Sequence, residues 1–218
     1  GLPQLLSATL MDSQESLDSL NNPNRKIMSQ TQFDWLTSTI DKSNSAWRII
    51  GSQVMFTPAS VNPIDTAFLF DAVGPVVAAL LRAQIQDLQQ LVEIVFNGDV
   101  WNNYPAQRQA LVEAIQESNN NAKNIVVSGD FHVGMAFDGN WAEVGELGLS
   151  EFMTPSITSA NFDENLGSDP LLGNLAPFLI ASIDTTLKQN SPQLKWMNLV
   201  DHGYMVLDIM PDKAQSDW

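Results

Sequence analysis

A chain of 218 residues with 44% apolar and 16% charged residues carries enough apolar material for one core and is too poor in charge to be a disordered segment. Its 10 Lys and Arg against 25 Asp and Glu leave a net charge of −15, a field that repels polyanions and excludes a role as a nucleic-acid scaffold. The absence of Cys excludes disulfides, thiolate zinc sites and a Cys nucleophile within this stretch, and leaves the compartment illegible from cysteine usage.

The N-terminus, Gly1-Leu2-Pro3-Gln4, has neither an initiator Met nor a basic and apolar signal, and reads as a processed start. Residues 1–24, with the Asn21-Asn22-Pro23-Asn24 cluster, read as a loop leading into a helix. From Met28 onward, Phe33, Leu36 and Ile40 fall at helical spacing; Ser29 or Thr31 can cap, and Trp35 is expected to widen the buried face. Trp47 to Phe56, rich in β-branched and aromatic residues and closed by Thr57-Pro58, is expected to be a buried strand.

The longest apolar run, Ala72 to Leu81, is broken by Gly74 and Pro75 and falls far short of the roughly 20 residues that span a bilayer, so no membrane span is expected. Pro75 to Phe96 repeats Leu80, Leu81, Ile85, Leu88, Val92 and Val95 with an amphipathic helical period. Tyr104 to Glu117 does the same through Leu111, Val112 and Ile115, with Pro105 suited to a first turn. Asn124 to Gly129 is a compact apolar strand signal after a helix and a short polar turn, an α/β signature. Trp141 to Leu149 and Glu151 to Thr158 are further strand candidates, and Pro170 to Leu187 has helical spacing that Pro177 is expected to break. Leu194 to Val200 and Tyr204 to Ile209 close the pattern as strands separated by Asp201-His202-Gly203. With no repeat and no low-complexity linker, residues 1–218 read as a single layered α/β unit.

Only two His occur, and each follows an apolar strand beside an Asp: Asp130-Phe131-His132 and Asp201-His202. Strand ends at one rim of an α/β sheet are where catalytic groups collect. If extended geometry persists, Asp130 and His132 share a side, which suits metal ligation or orientation of the imidazole; alternatively Asp130 caps a turn and His132 is an ordinary polar residue. His202-Gly203-Tyr204 is the weaker signal, because Gly after a polar residue is also simple turn chemistry. Were the two loops to meet, two imidazoles and two carboxylates would converge on one cleft.

Other candidates carry less. Ser128, Ser156 and Ser159 read as turn or strand hydroxyls in the absence of a G-x-S-x-G elbow, and no P-loop or dinucleotide-binding glycine pattern exists. Asp99 follows Asn97-Gly98 as ordinary turn material, Trp101 and Trp141 are the tryptophans expected to line a cleft, and Arg108 reads as a helix-surface or structural ion pair.

A family resemblance rests on motifs in order: Arg25, Met28, Gln32 and Trp35-Leu36; Ser43 and Trp47 leading to Gln53; Asp99, Trp101, Tyr104 and Arg108; Asn124 to His132; Glu151-Phe152 with Pro155 to Ser159; and His202-Gly203-Tyr204. Together they resemble the PhoD-like alkaline phosphatases, a metallophosphoesterase family. The resemblance implies a layered α/β sandwich with a mixed sheet flanked by helices, and metal-dependent hydrolysis of phosphate mono- and diesters with iron and calcium as cofactors, in a secreted or periplasmic enzyme. It implies Asp130, His132 and His202 as metal ligands or their close supports, with His132 and His202 catalytic. The family's front half, which supplies a Cys, a Gly-Asp loop carboxylate and an Asn or Asp, has no counterpart here, and Pro211 to Trp218 reads as the approach to a last strand. The resemblance therefore implies the C-terminal portion of the domain, truncated at both ends, inactive alone and partnered by an N-terminal half. The competing expectation is a non-catalytic α/β interaction domain that pairs with another chain through unfilled sheet edges.

Overall fold

The computed structural model describes residues 22, 24–60, 74–76, 100–118, 122–139, 149–168 and 173–218. Helix α1 (Gln30–Lys42) starts where Ser29 Oγ accepts from Gln32 N at 3.3 Å while Gln32 Oε1 accepts from Ser29 N at 3.1 Å, a reciprocal cap. Ile40 is buried, with Phe33 and Leu36 packed partly against the core. Trp35 departs from expectation at 68% exposed, because one residue's step of about 100° carries it off the 33-36-40 stripe.

Strand β1 (Trp47–Gly51) is shorter than the apolar run it begins. Ser52 Oγ donates to Val54 O at 2.6 Å and turns the chain, so Val54, Met55 and Phe56 are buried as loop rather than strand. Of the predicted helix over Pro75 to Phe96, only residues 74–76 are described, and these are helical; the rest, like the loop over 1–21, lies outside the described residues. Helix α2 (Pro105–Glu117) has Pro105 in its first turn, where no N–H is needed, and buries Leu111, Val112 and Ile115 as the period requires.

Strand β2 (Lys123–Ser128) matches its apolar signal, whereas β3 (Gly134–Phe137), four residues long, carried none strong enough to predict. Strand β4 spans Leu149–Met153, starting before and ending well short of the expected Glu151 to Thr158; the other strand candidate, over 141–148, lies outside the described residues. A short helix, α3 (Phe162–Gly167), precedes α4 (Ala176–Asn190). Pro177 does not break α4: it stands in the first turn, and Leu179, Ile183 and Leu187 follow on one buried face. Strand β5 (Leu194–Asn198) ends where Asn198 Oδ1 accepts from Val200 N and Asp201 N, both at 3.0 Å. Strands β6 (Val206–Ile209) and β7 (Ala214–Asp217) pair antiparallel.

Five strands form one mixed sheet in the order β1-β2-β4-β3-β5, parallel from β1 through β4 and antiparallel on both sides of β3. This is the α/β class expected, a mixed sheet flanked by helices. One face, presenting Val126, Leu149, Met153, Met135 and Phe137, shares a core with Ile40, Leu111, Ile115, Leu179, Ile183 and Leu187 from the helices. The registers place Ile49, Ile125, Val127, Phe152, Ala136 and Trp196 on the opposite face.

The C-terminal hairpin reaches this second face. Trp47 Nε1 donates to Met210 O at 2.8 Å, Lys123 Nζ to Asp212 O at 2.7 Å, and Trp218 Nε1 to Met153 O at 2.9 Å. The Trp218 ring lies tilted 4.5 Å from Trp196 and edge-on 5.9 Å from Phe152. Gly134 permits that cluster, since an added Cβ would meet Trp196 at 2.9 Å. The stretch read as an approach to a strand therefore contains one, β7, registered on β6. Among the described residues, no helix is long and apolar enough to cross a membrane.

Candidate functional site

Because β5 is antiparallel to β3, and β3 to β4, the C-terminal ends of β1, β2, β4 and β5 all reach one rim of the sheet. Four loops leave that rim. Backbone bonds join them: Ser52 N to Val127 O at 2.9 Å, Thr154 N to Ser128 O at 3.0 Å, and Gly203 N to Ser156 O at 3.0 Å. Both His residues stand on these loops.

The loop after β2 does not keep the extended geometry on which an Asp130–His132 pair was argued. Asp130 and His132 both adopt left-handed backbone, with φ of 71° and 58°, so alternation of side chains along a strand no longer aligns them. His132 Nδ1 lies 2.9 Å from Ala160 O. A carbonyl can only accept, so Nδ1 carries the proton in the neutral ring and Nε2 is left as its basic nitrogen.

His202 is held differently. Its Nδ1 lies 3.2 Å from Ser156 Oγ and 3.3 Å from Ser156 O, and its Nε2 lies 3.1 Å from Glu164 Oε2, an ion pair when the ring is protonated. The Ser156 hydroxyl faces Ser159 O at 2.5 Å and Asn161 Oδ1 at 3.1 Å, so its proton is committed to acceptors and the contact with His202 does not make it an activated nucleophile. Asp201 Oδ2 accepts from Asn198 Nδ2 at 2.7 Å, the local contact of a turn residue.

The loop after β4 joins the two imidazoles. Ala160 O meets His132, Asn161 N donates to Glu164 Oε2 at 3.1 Å, and the same carboxylate meets His202. Those three contacts plus one peptide O–N span bound the two ring nitrogens to within about 12 Å of each other. Asn161, fully buried, donates to Val200 O at 2.8 Å and ties this loop to the one after β5. The N–H of Asn161, and then His202, hold the Glu164 carboxyl below its ordinary value.

Beneath the rim lies Glu151, at 1% exposed. Oε1 accepts from Phe56 N at 2.9 Å and Ser128 Oγ at 2.5 Å, and Oε2 from Thr57 N at 2.6 Å. Burial pushes this carboxyl above its ordinary value, against hydrogen bonds from Ser128, Thr57 and Phe56 that favour the ionised form. Sequence reasoning missed Asn161, Glu164 and Glu151 as parts of this rim. The Asn161-x-x-Glu164 spacing is a helix-start signal that could have found the first two; Glu151 entered only as part of the Glu151-Phe152 family motif, and its incongruity inside an apolar strand was the signal of a role at the rim.

The remaining candidates separate from the rim chemistry. Trp101 is core, donating Nε1 to Ser52 Oγ at 3.1 Å and packing edge-on 5.2 Å from Phe56; Trp141 and Asp99 lie outside the described residues. Arg108 is buried, with Nη1 donating to Asn102 Oδ1 at 2.9 Å. Among the described residues no three His, Asp or Glu gather closely enough to hold a metal ion. His132 has the form of a ligating imidazole, its second nitrogen anchored to a carbonyl; His202 has both nitrogens engaged, and Asp130 is exposed. The described donors therefore do not fit a complete metal centre.

Comparison with known proteins agrees with this architecture. Alkaline phosphatase D of Bacillus subtilis (strain 168) is 24% identical over 206 residues, covering 92% of this chain and 28% of that protein. A solved structure of PhoD superposes with a TM-score of 0.59 at 19% identity, covering 92% of this chain and 31% of that one, a likeness of fold. The chain thus spans less than a third of the length of these relatives. The model of the PhoD-like phosphatase family matches residues 4–218, nearly every position read above, and the chain belongs to that family.

Proposed function

We propose that this chain supplies one part of a phosphoester-hydrolysing domain, with the rim loops after β2, β4 and β5 forming one wall of its active site. The observation that carries this reading is the convergence of both His on the Ser156–Glu164 stretch, in a chain of the PhoD-like phosphatase family. In this reading His132 presents Nε2 to substrate or metal, Asp130 offers an exposed carboxylate from the same loop, and His202 closes the cleft from the loop after β5. At −15, the chain attracts a phosphate ester only through a local positive centre. Family membership suggests that metal ions, iron and calcium, supply it, and further ligands beyond the described residues are then required.

The same reading makes residues 1–218 a single C-terminal unit completed by an N-terminal half of the domain, nearly inactive alone and secreted or periplasmic when whole. A second reading, a non-catalytic domain that pairs with another chain, draws on the half-exposed second sheet face and hairpin, where Ile49, Trp196, Val206 and Ile209 remain accessible.

The test is hydrolysis of a chromogenic phosphomonoester and diester by the purified chain and by the full-length gene product, each with and without added iron and calcium, alongside elemental analysis. Turnover by the full-length protein, lost in His132→Ala, supports the phosphatase reading. No turnover of either ester under any metal condition favours the interaction domain, and robust turnover by the 218-residue chain alone overturns the claim that its site is incomplete.

A further inference from the structure

We propose that Glu151 is the positioning residue of the His132 loop: its buried carboxylate binds the segment after β1 and the end of β2 into one base from which Gly129–His132 departs. This deepens the functional reading above and rests on it only for the importance of His132.

Glu151 lies on the helix-covered face of β4 between Leu149 and Met153, both fully buried, and registers against Val126 and Phe137. An apolar side chain would fill that position as its neighbours do. A carboxylate survives there only where donors compensate its desolvation. The donors are Phe56 N, Thr57 N and Ser128 Oγ, from two segments distant in sequence, and both oxygens are used.

What the clamp stabilises follows from position. Ser128 is the last residue of β2, two before Asp130 and four before His132, the two non-Gly residues with left-handed backbone among the described residues. Such conformations cost on the order of 1 kcal/mol or more each, and persist where the surroundings over-determine them. The backbone of this strand end is already tied, by Thr154 N to Ser128 O and by Ser52 N to Val127 O. The carboxylate adds the one bond that holds the Ser128 side chain, and through Phe56 and Thr57 it locks the neighbouring loop against the same point. The His132 ring, anchored through Nδ1 to Ala160 O, is thereby set from both sides.

The chain's two His give a direct readout. Their imidazole Cε1–H resonances form two signals, assigned with His132→Gln and His202→Gln. Ser128→Ala removes one donor and leaves the carboxylate its two amide partners; Glu151→Gln keeps the shape and replaces an acceptor with a donor. The expected result is a shift of the His132 signal beyond its linewidth in both variants, an unmoved His202 signal, and no further movement in the double variant. Leu149→Ala, on the same strand and face but away from Ser128, controls for loss of stability alone and leaves the His132 signal in place. An unmoved His132 signal in folded Ser128→Ala, or an equal shift in Leu149→Ala, overturns the proposal. Should Glu151→Gln not fold, Ser128→Ala decides. No activity enters this measurement, so a failed phosphatase assay and a failed positioning role are told apart.

Discussion

The two histidine loops leave the same rim but are held by opposite means. The loop after β2 is braced from below by a carboxylate inside the core, whereas the loop after β5 is held from the side by Glu164, half exposed on α3. A buried acceptor whose donors cannot turn to water transmits each change to the backbone, while an exposed one is replaced by solvent at little cost. His132 thus belongs to the rigid scaffold and His202 to its adaptable margin.

The largest blow to that contrast comes from Glu151→Ala, which strands three buried donors. We expect a loss on the order of 3 kcal/mol, read from urea unfolding, since each unsatisfied buried group costs about 1–3 kcal/mol. A loss no larger than that of an exposed substitution would erase the distinction between the loops. Asn161→Ala comes next, expected at about 1–3 kcal/mol because it removes the buried link between the loops after β4 and β5. In the full-length protein Asp130→Asn is expected to lower kcat/KM by about 10–100-fold, the usual effect of losing a supporting carboxylate. Asp201→Asn is expected to cost less, its carboxylate serving the local turn at Asn198. Equal losses, or a larger one at Asp201, would move the functional carboxylate to the second loop.

Smaller effects sharpen the picture. Asp130→Gly relieves left-handed strain and is expected to gain up to about 1 kcal/mol, seen as a raised Tm, whereas Asp130→Val is expected to lower it. The pH response separates the two carboxylates by sign. Between the ordinary carboxylate value and its raised one, native Glu151 keeps a proton that the unfolded chain has released, so its contribution makes stability fall as pH rises through that window and levels off above it. Glu164, held below its ordinary value, does the reverse: its contribution is present above the unfolded value and is lost as pH falls through the native one. Tm against pH for Glu151→Gln and Glu164→Gln checks both, each variant flattening its own limb and the second changing the curve less.

Much of the fold was legible because it is written in short-range periodicity. Ser29 and the Phe33-Leu36-Ile40 spacing announce α1, Pro105 and the Leu111-Val112-Ile115 repeat announce α2, and the apolar run ending at Ser128 announces β2. The errors arose where a local signal met a competing contact. Trp35 lies off its stripe, Ser52 bends the chain before Phe56 can extend β1, and Pro177 sits in a first turn that no pattern could distinguish from a break. The pairing of both His with strand ends was readable, and so was their placement at one rim of an α/β sheet.

What the sequence determined by itself was the class of fold, the family motifs in order and the two histidines as points of interest, since these depend on residue type and spacing along the chain. Tertiary structure alone decided that Asp130 and His132 stand on left-handed backbone, that Ala160, Asn161 and Glu164 link the two rings, and that a glutamate in an apolar strand braces the loop. Those facts depend on partners far apart in sequence, Phe56 and Thr57 meeting Glu151, and Glu164 meeting His202. Hydrogen bonds across such separations leave no period in the chain, because each is fixed by how strands are ordered in the sheet rather than by neighbours along it.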